Sequence, residues 1–174
     1  MKVYIETDRL ILREILPEDV DDLFLLEADP DVHRYVGNNP VKSKAEIRKY
    51  IDSVRQQYVD NGIGHWAAVE KSSNYFIGWA GLTLIKETIN NHIHYYSLGY
   101  RFIRKYWGVG YATEAAKAAL TYGFDTLGLK AIYAIANCEN INSNKVLSKV
   151  GLTFTETFDF DGIRHNWYQI HKAD

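Results

Sequence analysis

In TDRLILREI, residues 7–15, Leu10 and Leu12 alternate with Arg9, Ile11 and Arg13. A period of two predicts a strand with one buried face. PEDVDDLFLLEAD, residues 17–29, switches to a helical period through Val20, Leu23, Phe24 and Glu27. Pro17 suits the first turn of that helix, Glu18 and Asp19 favour its positive end, and Pro30 ends it. PDVHRYVG reads as a turn or a short helical piece. Residues 42–62 then predict a second helix. Ser43 and Glu46 form a capping-box pattern, Ile47, Ile51, Val54 and Tyr58 make one apolar stripe, and Asn61-Gly62 stops it.

GHWAAVE, YFIGWAGLTLIK and HIHYYSLGYRFI predict three strands, the first two joined by a KSSN hairpin loop. After RKYWGVG, at residues 104–110, Ala112, Ala115, Ala116, Ala119, Leu120 and Phe124 recur at helical spacing over residues 110–129. A face made mostly of alanine lets a helix lie close to a sheet. KAIYAIANC predicts a strand, and NINSNKVLSKVG a short helix that stops at Gly151. Two last strands flank Asp161-Gly162, a strong hairpin signal. The sum is one α/β (α+β) domain over residues 1–174. Its mixed, mostly antiparallel sheet has seven strands, with four helices and a crossover step around residue 115.

Composition narrows the class. Twenty basic and 22 acidic residues leave a net charge of −2, and no basic stripe points to nucleic acid. No apolar run is long enough to span a membrane, and charges break the first residues too often for a signal peptide. The single cysteine, Cys138, forms no internal disulfide and reads as a buried, inert thiol. A reducing, cytoplasmic setting is expected. The six histidines are scattered, so no metal site is expected.

The glycine turn carries the chemistry. A phosphate-binding loop of the G-x-x-x-x-G-K-S/T kind needs a spacing and a lysine that are missing here. A dinucleotide fingerprint needs a third glycine, and the turn comes late, after several hairpin strands. Two readings stay open. Gly108 and Gly110 can form a bare strand-to-helix corner. They can also form a pyrophosphate cradle at a helix N-terminus, where four unpaired N–H groups and the helix dipole face an anion.

The stretch LGYRFIRKYWGVGYATEA resembles the strand, turn and helix of the GNAT superfamily of N-acetyltransferases. Their pattern Q/R-x-x-G-x-G/A falls on Trp107 to Ala112, with Trp107 at its first position. WGxGYATEA, ETDRLILRE, NCENINSNKVLSKVGL and the closing aromatic hairpin are similar to the RimJ/RimL group of ribosomal-protein N-terminal acetyltransferases. The resemblance covers nearly the whole chain.

It implies an acetyl-CoA-dependent N-acetyltransferase without a metal, acting by direct attack of an amine. The acceptor is a peptide N-terminus, a polyamine or another small amine, and the protein is a monomer or homodimer. It implies that the central strands splay, with Gly99 at a bulge. Phe102 and Ile103 would pair with the pantetheine arm, and an N–H near Phe102 would meet the oxyanion. Arg104 and the backbone of Trp107, Gly108, Val109, Gly110, Tyr111, Ala112 and Thr113 would hold the pyrophosphate. Asn140 would cap its helix and touch the cofactor, and Ser143 would serve as the acid, near the thioester sulfur. Ser97 stands where relatives often carry a glutamate base, and Arg101 where they often carry tryptophan. Tyr96 and His94 are the neighbouring alternatives for moving the amine's proton, and a non-catalytic acyl-CoA sensor is the rival reading. His33, Tyr35, Trp66, Trp79 and Trp167 are acceptor-side candidates.

Overall fold

The computed structural model describes residues 1–173. The strands are β1 (Val3–Glu6), β2 (Leu10–Glu14), β3 (His65–Glu70), β4 (Tyr75–Ile85), β5 (Tyr95–Phe102), β6 (Ala131–Asn137), β7 (Thr153–Phe160) and β8 (Ile163–His171). The helices are α1 (Val20–Glu27), α2 (Pro30–His33), α3 (Lys44–Asn61), α4 (Tyr111–Thr121) and α5 (Ile141–Lys149). One sheet runs in the order β1-β2-β3-β4-β5-β6-β8-β7, and only the β5–β6 neighbours are parallel. The mixed α/β class and mostly antiparallel sheet match the pattern of the sequence. The counts differ, with eight strands for seven and five helices for four.

The extra strand is β1. Residues 3–6 are too few to show a period, and they become a strand by pairing with β2, Val3 opposite Arg13 and Glu6 opposite Ile11. The extra helix, α2, is one turn long. Asp29 caps it by accepting the Asp31 N–H at 2.9 Å, and Pro30 occupies its first position.

Each face of the sheet carries its own core. α1 and α3 cover β2 to β4 with Leu23, Leu26, Ile47, Ile51 and Val54 packed on Ala67, Phe76 and Trp79. α4 and α5 cover the other face. Ala115, Ala116 and Ala119 are fully buried there, so α4 does lie close to the sheet. Gly123 extends this approach, since a Cβ there would sit 2.7 Å from the Cδ1 atoms of Leu82 and Ile132. The chain winds as a π turn over Tyr122–Thr126, so regular α4 ends at Thr121, short of the expected residue 129. The last hairpin turns through Asp161 (φ 49°) and Gly162 (φ 75°), the left-handed pair that a tight Asp-Gly turn requires.

β5 and β6 meet at a single pair, Ser97 opposite Tyr133. Beyond it β5 stays bonded to β4 alone, as far as Phe102, and the sheet opens into a wedge. Gly99 forms no bulge, because the β4–β5 register runs unbroken from Gly78–Phe102 to Ile85–Tyr95. The irregularity lies one strand away, between β3 and β4 at Ala68 and Val69. Gly99 instead clears room for two rings. A Cβ on it would lie 3.2 Å from His65 Nε2 and 3.3 Å from a ring carbon of Trp79.

Candidate active site

The glycine turn leads from the open end of β5 into α4. Gly108 (φ 76°) and Gly110 (φ 92°) are both left-handed. The Trp107 indole N–H donates to the Phe102 carbonyl at 2.7 Å and ties the turn to the strand end. Arg9 braces the far side. Its guanidinium donates to the Val109 carbonyl at 2.9 Å and to Glu114 at 2.6 Å, and lies 4.4 Å over the Tyr111 ring. Thr7 donates to the other Glu114 oxygen at 2.6 Å. Burial would raise the Glu114 pKa, but these hydrogen bonds hold it below the usual carboxylate range. Periodicity placed Arg9 on an outward face and showed nothing of this contact across 100 residues.

With both sides braced, the turn's own donors stay free. The N–H groups of Gly108 to Thr113 donate to no group among the described residues. Six successive N–H groups at the start of an eleven-residue helix suit a pyrophosphate. A groove of about 410 Å³ continues from Gly110 and Thr113 past Lys117 to Lys149 on α5. Two expectations need correction. The Arg104 guanidinium is held by Asp29 at 3.3 Å and Asp31 at 2.7 Å, so it braces α2 rather than the turn. The Ile103 N–H is spent on the Ile77 carbonyl at 2.9 Å. By strand alternation Phe102 turns its own N–H into the wedge.

Ser143 lies across the wedge. Asn140 caps α5 by accepting the Ser143 N–H at 3.2 Å, and the Ser143 hydroxyl lies 3.1 Å from the Tyr100 hydroxyl of β5. Burial pushes the Tyr100 phenol up to about 12, against the lowering effect of Ser143, so it keeps its proton. Asn144 anchors this end. Its amide donates to the carbonyls of Asn137 and Asn140, and its oxygen accepts from Asn166 and Tyr168. Cys138 is half-buried rather than buried, and its thiol donates to Asn166 at 3.1 Å.

The two faces of β5 divide the remaining candidates. Tyr96, Leu98, Tyr100 and Phe102 face α4 and α5, while Ser97, Gly99 and Arg101 face the α1 side. Tyr96 therefore stands on the opposite face from Ser97. His94 precedes the strand and is exposed. Strand pairing lines up His65, Gly81 and Gly99 in one row and Ala67, Trp79 and Arg101 in the next. The His65 ring stacks on Trp79 at 4.0 Å, and its Nδ1 lies 3.1 Å from the Tyr50 hydroxyl. Burial, aided by the charge of Arg101, pushes the His65 pKa down to about 3, so the ring is neutral near pH 7.

Behind this row, buried Glu27 gathers three donors. They are the Trp79 indole at 2.9 Å, His33 Nε2 at 2.8 Å and the Arg101 guanidinium. Among the acceptor-side candidates, His33 and Trp79 thus meet in one cluster. Trp167 lies farther along the same face, stacked with His92 at 4.5 Å. Trp66 is fully buried on the other face against Tyr4, and Tyr35 follows α2 half-buried. His65 had a signal in the sequence, since alternation sets it opposite to Trp66. Glu27 had one too, as a carboxylate on an apolar helical period. Among the described residues no His, Cys, Asp and Glu side chains are grouped to hold a metal. Among the described residues no helix is long and apolar enough to cross a membrane.

A family model described as an acetyltransferase (GNAT) domain matches residues 9–153. The uncharacterized protein YkkB of Bacillus subtilis (strain 168) is 33% identical over 157 residues, 90% of this chain and 88% of that protein. A GNAT-family acetyltransferase from Bacillus anthracis superposes with a TM-score of 0.80 at 25% identity, covering 96% of this chain and 97% of that one. RimL, a ribosomal L7/L12 α-N-protein acetyltransferase solved with coenzyme A, superposes with a TM-score of 0.82 at 17% identity, covering 98% of each chain.

Proposed function

We propose that this chain, which belongs to the GNAT acetyltransferase family, moves the acetyl group of acetyl-CoA onto a primary amine. The observation that carries this reading is the run of free N–H groups from Gly108 to Thr113, set beside the β5–β6 wedge. The run would hold the pyrophosphate and the wedge the pantetheine arm. Main-chain donors need no particular side chains for such pairing.

The reaction needs three things from the protein. A donor must meet the oxygen that gains charge as the amine adds to the thioester carbonyl, and the Phe102 N–H is free for that. A proton must reach the departing thiolate. The Ser143 hydroxyl, steadied by the Tyr100 phenol, supplies it as the carbon–sulfur bond breaks, and recovers it through water from the nitrogen, which sheds one proton as the amide forms. The amine must arrive neutral. Ser97 places no carboxylate on that face, which favours acceptors that shed their proton readily. An α-amine, with a pKa of about 8 against about 10.4 for lysine, meets this condition. The α-N-protein activity named for RimL is in keeping with it.

Ser143→Ala tests the acid. Steady-state kinetics should show kcat reduced by roughly 100-fold with little change in CoA affinity. Unchanged turnover would refute the role.

A further inference from the structure

We propose that Arg101 is an anion receptor for the acceptor, so that the amine acetylated here carries a carboxylate or phosphate. This rests on the acetyl-transfer reading above, and four observations carry it. The first is position. Arg101 is the next residue of β5 on the α1-side face after Gly99, beyond the last β5–β6 pair, where the strand has no neighbour on its wedge side. The second is rigidity. Glu27 holds one guanidinium nitrogen from behind, and the Trp79 ring lies 5.2 Å from the guanidinium carbon.

The third is exposure. The Arg101 side chain is 21% exposed, against 8% for Glu27 and 9% for His33. Only Nη1 is engaged with Glu27, and the rest of the planar fork donates to no group among the described residues. A fixed fork with free donors matches the two oxygens of a carboxylate or phosphate. The fourth is the state of the carboxylate. Glu27 Oε1 is taken by Trp79, and Oε2 by His33 and Arg101. The cluster therefore turns donors, not acceptors, towards a ligand. Burial is the main cause of the depressed His65 pKa, and the neighbouring Arg101 charge adds to it. A polyamine would bring a second ammonium against this guanidinium.

The test uses the full chain with saturating acetyl-CoA and three acceptors that share the favoured peptide α-amine: alanyl-aspartate amide, alanyl-phosphoserine amide and, as the diamine, alanyl-lysine amide. Thiol release should give the wild type a kcat/KM at least tenfold higher for one or both anionic acceptors than for the diamine. Whichever anionic arm leads identifies carboxylate or phosphate. Arg101→Gln should erase the preference through KM, and Arg101→Lys should restore part of it. Because Arg101→Gln leaves Glu27 buried without its cation, the double variant with Glu27→Gln removes both charges and should erase it equally. A wild type that prefers the diamine, or a preference that survives both variants, overturns the proposal. Calorimetric binding of the same three acceptors to the CoA-loaded protein separates the two claims. If no acceptor releases thiol, acetyl transfer to these amines fails. The anion receptor then stands or falls on whether Arg101→Gln abolishes a measured preference for the anionic ligands, and equal binding of all three overturns it.

Discussion

Glu27 has almost no exposed surface, yet it meets donors from α2, β4 and β5. A buried carboxylate is tolerable only while its partners satisfy it, and they are equally dependent on it. Glu27→Ala should therefore cost about 3 kcal/mol, measured by urea unfolding. A loss under about 0.5 kcal/mol, the scale of an ordinary surface substitution, would show the cluster to be dispensable. His65 makes a second prediction at this scale. Burial holds its folded pKa at about 3, below the ordinary histidine value of 6.5. The unfolded chain thus binds a proton between those values that the folded one refuses. This contribution to stability is full above pH 6.5 and is lost as pH falls towards 3, at on the order of 1 kcal/mol per pH unit. Urea unfolding of His65→Gln across that window should show a correspondingly shallower fall, and an unchanged slope would mean that the ring titrates normally. Periodicity marked both positions but not the groups they meet. Glu27 and Arg101 are 74 residues apart, and only the fold joins them.

At the scale of elements, local signals were the readable ones. The Asn140 cap, the Asp161-Gly162 turn and the alanine face of α4 each depend on residues within a few positions, and each is present in the structure. β1 was missed because it exists only through its partner strand, and α2, a single turn, stayed open between a turn and a short helical piece. The Gly99 bulge was misplaced for a related reason. Glycine in a strand marks close approach, but only the packed rings of His65 and Trp79 show what approaches. The glycine turn itself gives an element-scale prediction. Gly110→Val puts a branched side chain at φ 92°, where its Cβ would lie 3.3 Å from Arg9 Nη2. Equilibrium dialysis should show CoA affinity reduced at least tenfold, while circular dichroism reports a folded chain. Unaltered affinity would mean that the cradle lies elsewhere. Asn144→Ala should release α5 from β6 and β8 at a cost of roughly 2 kcal/mol by thermal unfolding. A loss too small to measure would mean that packing alone holds the helix.

Across the whole molecule, one sheet separates two tasks. The α4–α5 side presents the free N–H groups of the turn, the Phe102 donor and the Ser143–Tyr100 pair. The α1 side packs neutral His65 and Trp79 over Gly99, with the partly exposed Arg101 beside them. The wedge left by the single Ser97–Tyr133 contact joins the two. The central claim is that the wedge brings acetyl-CoA and an amine together for transfer. The most direct measurement is thiol release from acetyl-CoA, with and without a panel of peptide, polyamine and small amino-acid acceptors. Transfer predicts release that saturates with at least one acceptor and falls to background without it. Tight CoA binding with no acceptor-dependent release would contradict transfer and leave the fold as an acyl-CoA sensor.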